Sequence, residues 1–239
     1  MKLDNLAGKI DYACLNMDAS TQDIVRVCEQ AKNYQFASVC VNPWHIATAN
    51  KELAGSGVAV GVAVGFPLGA IAAYLKTQEI RDAAEHGTTE FDVVANIGAL
   101  KSKDFEYVFR ELCSIVHQVR DLSTGSYKRT VKIIIEAVLL GPGEIINMCE
   151  MVQEAKADFI KTSTGFQDPI SVSATHFIRS HLQPSFKLKV AGGIKTVHDA
   201  IRMLLAGADR LGTSHGPEIM EQARILIEEE AGTDYEEAD

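Results

Sequence analysis

No run of lysine or arginine interrupts the 239-residue sequence, and its formal net charge is −9. A basic nucleic-acid groove and an anionic membrane surface are therefore excluded as partners, and the acidity reads as a soluble surface. No apolar stretch is long enough for a signal peptide at MKLDNLAGKI, or for a membrane span further on. The expected setting is cytoplasmic. Cysteine is sparse and odd in number: Cys14, Cys28, Cys40, Cys113 and Cys149 form no CxxC or zinc-like cluster, so reduced, mostly buried thiols are expected. The seven histidines make neither HxxxH nor HExxH, and no metal site is expected. There is also no linker, low-complexity tract or second domain. A single domain over residues 1–239 follows, with a loose acidic end from about residue 230.

What the chain does have is alternation. With 46% hydrophobic residues it can bury a large core, and its apolar runs recur between amphipathic stretches. The expected strands are IDYACL from Ile10, ASVCVN from Ala37, VAVGVAVGF from Val58 and EFDVVANI from Glu90. VKIIIEAVLL from Val131, DFIKTST from Asp158, KLKVAGGI from Lys187 and RLGTSH from Arg210 complete the set. Between them, TQDIVRVCEQAKNYQ places Ile24, Val27, Cys28 and Ala31 on one helical face. KDFEYVFRELCSIVHQV does the same with Phe105, Val108, Phe109, Leu112 and Val116. Strand–helix alternation with near-continuous Val/Ile runs favours a covered parallel sheet. Eight such units in this length predict a closed (β/α)8 barrel, an α/β fold of the TIM-barrel type. An open doubly wound sheet is the alternative, but no GxGxxG follows the first strand.

In such a barrel the chemistry sits where strands run into βα loops. The polar residues to weigh are Asp11, Asp92, Glu136, Lys161 and Lys189, one in each of five expected strands. A salt bridge would explain any one of them. Together, two lysines on adjacent strands and an aspartate two strands away can meet in one lumen. Lysine is rarely buried without a partner or a function. It is nucleophilic only when neutral, and burial beside a second cation lowers its pKa towards neutrality. That arrangement suits imine formation with a carbonyl compound. AGGIKT from Ala191 and LGTSHG from Leu211 carry glycines where a strand ends and a helix begins, a position suited to phosphate.

FASVCVNP, VGFPLGA, FDVVANIGALKS, VKIIIEAVLL, ADFIKTSTGF, KVAGGIKT and LGTSHG, in this order, resemble the deoxyribose-phosphate aldolases, class I Schiff-base aldolases with a barrel fold. The resemblance spans about Ile10 to Gly216. It implies that Lys161 forms the Schiff base, that Lys189 tunes it, and that Asp92 is the proton-relay carboxylate. It implies further that Asp11 is an acidic residue near the substrate and that Gly192, Gly193 and Ser214 bind phosphate. Asn16, Cys40, Thr164 and His215 complete the expected substrate-binding set, although for Cys40 a core thiol is the stronger reading. Cleavage of 2-deoxy-D-ribose 5-phosphate to glyceraldehyde 3-phosphate and acetaldehyde would need no cofactor, because the lysine supplies the electron sink. The expected partners are a sugar phosphate and an aldehyde, with self-association into a homo-oligomer.

The chain departs from the family pattern in places. Asp11, Tyr12 and Ala13 stand where Asp-His-Thr is common, Ile71, Ala72 and Ala73 stand after GFPLGA, and His215 replaces the second residue of a Ser-Ser pair. These changes leave a related aldolase with another aldehyde as the nearest alternative. A non-catalytic sugar-phosphate-binding barrel is the more distant one, since binding alone gives no reason for two lysines and an aspartate together.

Overall fold

A computed structural model describes residues 5–123 and 128–236, with side chains through residue 229. Eight strands form a closed parallel barrel in sequence order. They are β1 (Ile10–Cys14), β2 (Ser38–Val41), β3 (Ala59–Val64), β4 (Glu90–Val94), β5 (Thr130–Ile134), β6 (Phe159–Lys161), β7 (Lys187–Ala191) and β8 (Arg210–Thr213). Closure is direct, since β8 pairs with β1 through Ile10↔Leu211 and Asp11↔Gly212. The expected barrel is what the chain forms, and every strand lies inside its expected run except β5, which begins one residue earlier, at Thr130.

The runs nevertheless reach too far. VKIIIEAVLL was expected to be extended throughout, but β5 stops at Ile134 and Ala137–Leu139 is a turn of 3-10 helix. DFIKTST keeps only the three residues of β6. Past the last strand residue, Ile135 and Ala137 of the first run and Thr162, Ser163 and Thr164 of the second stay buried in the loops of the barrel mouth.

Nine helices flank the strands among the described residues: α1 (Thr21–Tyr34), α2 (Ile46–Leu53), α3 (Ala73–Glu85), α4 (Ile97–Lys101) and α5 (Phe105–Asp121), then α6 (Pro142–Glu154), α7 (Val172–Ser180), α8 (Val197–Leu205) and α9 (Gly216–Glu236). In α1 the expected face is the buried one, with Ile24, Val27, Cys28 and Ala31 inside, and Ser20 and Asp23 close the N-terminus as a capping box. In α5, Val108, Leu112 and Val116 are buried, but Phe105 is exposed at the first turn and Glu111 lies inside instead. Glu111 Oε1 there meets the buried Lys76 Nζ at 2.8 Å. The acidic end continues as α9 to Glu236, while the side chains of 230–236 and all of 237–239 lie outside the described residues.

Alternation along the strands sorts the core. Val39, Val41, Val60, Val62, Phe91, Val93, Val131, Ile133, Ile160, Leu188, Val190 and Leu211 face outward into one apolar layer shared with the helices. Each such side chain contributes about 1.5–3 kcal/mol on burial. The opposite face of the same strands points into the lumen, and there the filling is largely charged. Cys28, Cys40 and Cys149 are buried, Cys14 and Cys113 half-buried, and all five are free thiols.

Candidate active site

Asp11 of β1 and Lys132 of β5 lie on opposite sides of the barrel, so their 3.3 Å contact crosses the lumen. Around this line gather three carboxylates, Asp11, Glu90 and Asp92, and four cations, Lys132, Lys161, Lys189 and Arg210. Strand register supports the meeting, because Asp92 is level with Lys132 on β5 and Lys161 is level with Lys189 on β7.

Asp92 is the hub. Its Oδ2 accepts from Lys161 Nζ and from Lys189 Nζ, both at 2.7 Å, and its Oδ1 accepts from Lys132 Nζ at 3.0 Å. Lys132 also reaches Glu90 Oε2 at 2.5 Å. Asp11 Oδ1 accepts from Ser38 Oγ at 2.7 Å and from Arg210, whose Nε is 2.8 Å away, while Lys189 Nζ lies 2.5 Å from Asp11 Oδ2. Gly212 makes room for this packing: a Cβ there would lie 3.2 Å from Lys189 Cε and 2.9 Å from Ala191 Cβ.

The electrostatics separate the lysines. Burial pushes Lys161 below the ordinary lysine range; Asp92 opposes that shift and the neighbouring Lys189 adds to it. Burial also acts against charge on Lys189, but Asp11 and Asp92 outweigh it and raise its pKa. Lys132, surrounded by Asp11, Asp92 and Glu90, goes up further despite the same burial. Burial opposes ionisation of Asp92 as well, yet Lys132, Lys161 and Lys189 hold it well below the carboxylate range. Asp11 is lowered in the same way, with burial outweighed by Lys132, Lys189 and Arg210.

Above this cluster opens a cavity of about 340 Å³ at the C-terminal ends of the strands. Lys161 and Lys189 form part of its floor, and Asn16, Cys40, Thr164, Gly192, Gly193, Ser214 and His215 line its walls. Asp92 and Asp11, both fully buried, stand beneath it and touch the lysines rather than the open space. Cys40 faces the lumen as well as being buried, and burial pushes its thiol up to about 11. Gly193 has φ 81°, and a Cβ would come 2.5 Å from Pro169 Cβ, so the tight turn after β7 needs glycine. On the last loop Ser214 is exposed, with its Oγ 3.2 Å from His215 Nδ1, and Thr213 Oγ1 accepts from the His215 N–H at 2.9 Å.

The departures from the family pattern sort themselves. Tyr12 lines the cavity edge, but its hydroxyl donates outward to Gln30 Oε1 at 2.9 Å. Ala13 faces the cavity, whereas Ile71 lines a separate cavity of about 270 Å³ with Phe66, Pro67 and Leu68. Sequence reasoning missed Glu90, Lys132 and Arg210 in the lumen and Arg26 and Lys195 on the cavity wall. A signal existed for Glu90, two residues from Asp92 and hence on its face.

A closed parallel barrel with its polar groups gathered at the C-terminal mouth describes a barrel enzyme. The profile of the DeoC/LacD family aldolases matches residues 8–222. A deoxyribose-phosphate aldolase of Desulfitobacterium hafniense is 42% identical over 92% of this chain and 99% of its own length. One from Clostridium novyi is 40% identical over 91% and 96%. The solved structure of the Aeropyrum pernix deoxyribose phosphate aldolase, described as a tetramer, superposes with a TM-score of 0.85 at 30% identity, covering 94% of this chain and 93% of that one. The chain belongs to the DeoC/LacD aldolase family.

Proposed function

We propose that the protein is a class I deoxyribose-phosphate aldolase, in which Lys161 attacks the aldehyde of open-chain 2-deoxy-D-ribose 5-phosphate. The observation that carries this reading is the placement of two adjacent buried lysines on the cavity floor. Both Nζ atoms lie 2.7 Å from Asp92 Oδ2, but only Lys189 meets a second carboxylate, Asp11 at 2.5 Å. Lys189 is therefore held charged, and Lys161 is the one pushed towards the neutral form. Only the neutral amine is a nucleophile, so Lys161 is the imine former and Lys189 the fixed cation.

Loss of water from the carbinolamine leaves an iminium beside Asp92 Oδ2. The proton of the 3-hydroxyl leaves through a water held by Asp92 and Lys189, the C2–C3 bond breaks, and its electron pair flows to the iminium nitrogen. That flow removes the positive charge next to Asp92. The carboxylate therefore gains basicity as the bond breaks, which offsets its otherwise depressed pKa. Glyceraldehyde 3-phosphate departs, and the enamine is protonated at carbon and hydrolysed to acetaldehyde. No cofactor enters, because the imine is the electron sink.

Gly192, Gly193, Ser214 and His215 take the phosphate through bare N–H groups and short polar side chains at the starts of α8 and α9. Asn16, Cys40 and Thr164 shape the path from phosphate to lysine. Asp11 acts from below by holding Lys189. Residues 1–239 work as one barrel domain, and the cytoplasm is the setting in which its free thiols and phosphorylated substrate fit. No described helix is long and apolar enough to cross a membrane. A homo-oligomer follows from the relative of A. pernix, described as a tetramer.

The test is direct. Incubation with 2-deoxy-D-ribose 5-phosphate should release acetaldehyde and glyceraldehyde 3-phosphate in equal amounts, at a rate unchanged by EDTA. A protein that binds the sugar phosphate without cleaving it would overturn the reading in favour of a binding barrel.

A further inference from the structure

Four non-glycine residues among those described have positive φ. Gln35, Lys103 and Lys156 follow the ends of α1, α4 and α6, where left-handed backbone commonly closes a helix. Glu136 is different: it follows a strand, with φ 46° and ψ 58°, beside the strand that carries Lys161. The chain makes it a bulge. Ile135 N–H donates to Lys161 O at 3.0 Å and Ala137 N–H to Thr162 O at 2.8 Å, so β5 advances two residues while its neighbour advances one. A bulge of this kind re-aims a side chain, and strained backbone of this kind persists where the surroundings demand it.

The side chain is aimed at Thr164. Glu136 Oε2 accepts the Thr164 Oγ1 hydroxyl at 2.5 Å and the Thr164 N–H at 3.2 Å. Glu136 Oε1 is buried with no hydrogen-bond partner. Burying a carboxyl group this way is costly, and in return it controls one hydroxyl. Thr164 Oγ1 has one proton and two lone pairs. The proton goes to Glu136, one lone pair takes the Phe166 N–H at 3.1 Å, and one lone pair remains on a residue that lines the cavity with Lys161.

We propose that Glu136 is a positioning residue that commits the Thr164 proton and so presents Thr164 to the cavity as a hydrogen-bond acceptor for a substrate hydroxyl. This rests on the aldolase reading above. Its consequence is selective: steps that need a hydroxylated substrate depend on Glu136, and imine and enamine formation with acetaldehyde alone does not. The interaction needs an acceptor oxygen at the right reach, and glutamine supplies one at the same chain length.

The experiment compares Glu136→Asn, Glu136→Gln and Thr164→Val in two reactions. One is cleavage of 2-deoxy-D-ribose 5-phosphate; the other is deuterium exchange into the methyl group of acetaldehyde in D2O, which passes through the enamine without a second carbonyl compound. Asparagine tolerates the left-handed backbone but is one methylene too short to reach Thr164. Glu136→Asn should lose about tenfold in kcat/KM for cleavage, as expected for one substrate hydrogen bond, and stay within about twofold in exchange. Glu136→Gln should stay within about threefold in both. Adding Glu136→Asn to Thr164→Val should cost nothing further in cleavage, because the first acts through the second. Equal losses in exchange and cleavage would assign Glu136 a merely structural role, and full-rate cleavage by Glu136→Asn would also overturn the proposal. Should Glu136→Asn not fold, Thr164→Val in the parent and in Glu136→Gln carries the test: lost cleavage with retained exchange supports it, equal losses overturn it. A parent that exchanges no deuterium removes the aldolase reading and this assignment with it, whereas a parent that exchanges beside a freely cleaving Glu136→Asn removes this assignment alone.

Discussion

Lys132, deep in the lumen, and Lys161, on the cavity floor, are pushed in opposite directions. Lys132 contacts Asp11, Glu90 and Asp92, and its pKa rises. Lys161 has one carboxylate contact, with Asp92, and shares it with Lys189; its pKa falls. Both lysines are buried to nearly the same degree. The difference shows that the local count of carboxylates, rather than burial alone, decides which lysine is free to react.

The comparison can be broken from either end. Removing Lys161 has the largest expected effect: Lys161→Met should lower kcat by about 10⁴-fold or more, as losing a covalent nucleophile commonly does, while the melting temperature holds or rises. Cleavage assays with a thermal melt check both halves. Lys132→Met attacks the deeper cluster and should destabilise the fold by about 3–5 kcal/mol, because it leaves three buried carboxylates with fewer cations; denaturant titration reads this out. A stability within about 0.5 kcal/mol of the parent, an order-of-magnitude allowance for surface changes, would show that the deeper cluster needs no compensation by Lys132.

Lys189→Met acts on Asp92, which Lys132 and Lys161 share. It should cost about 10²-fold at neutral pH and move the rising limb of the pH–rate profile upward. The sign follows from the charges. Activity rises as Lys161 loses its proton, Lys189 contributes to lowering that pKa, and its removal also leaves Asp92 more available to hold Lys161 charged. An unmoved profile would leave burial as the sole cause of the shift. The smallest effect is at the cavity rim, where His215→Ser should change KM for the phosphorylated substrate by about two- to threefold and leave kcat alone. A matching change with unphosphorylated 2-deoxyribose would remove His215 from the phosphate contacts.

Much of this is legible in the sequence. Helical and strand periodicities gave the barrel because the outward faces are uniformly apolar, and Val60, Val131 and Ile160 read as strand residues from their neighbours alone. Lys161, Lys189 and Asp92 stood out as charges inside apolar runs, and the structure brings them within hydrogen-bond distance of one another through Asp92. What stayed hidden depends on register and closure. Arg210 meets Asp11, 199 positions earlier, only because β8 closes on β1. Asp11, expected near the substrate, is fully buried with Lys189 Nζ 2.5 Å from its Oδ2, a contact that strand closure rather than sequence spacing creates. Glu136 was visible as a polar residue late in a strand, but its bulge and its hold on Thr164 are matters of backbone geometry.

We propose that Lys161, among the described buried lysines, is the one held ready to form an imine. The measurement is borohydride reduction in the presence of acetaldehyde, followed by peptide mass mapping of the lysines at positions 132, 161 and 189. A single reduced ethyl group is expected, on the peptide carrying Lys161, and none on Lys132 or Lys189. An ethyl group on Lys189, or labelling confined to surface lysines, would contradict it.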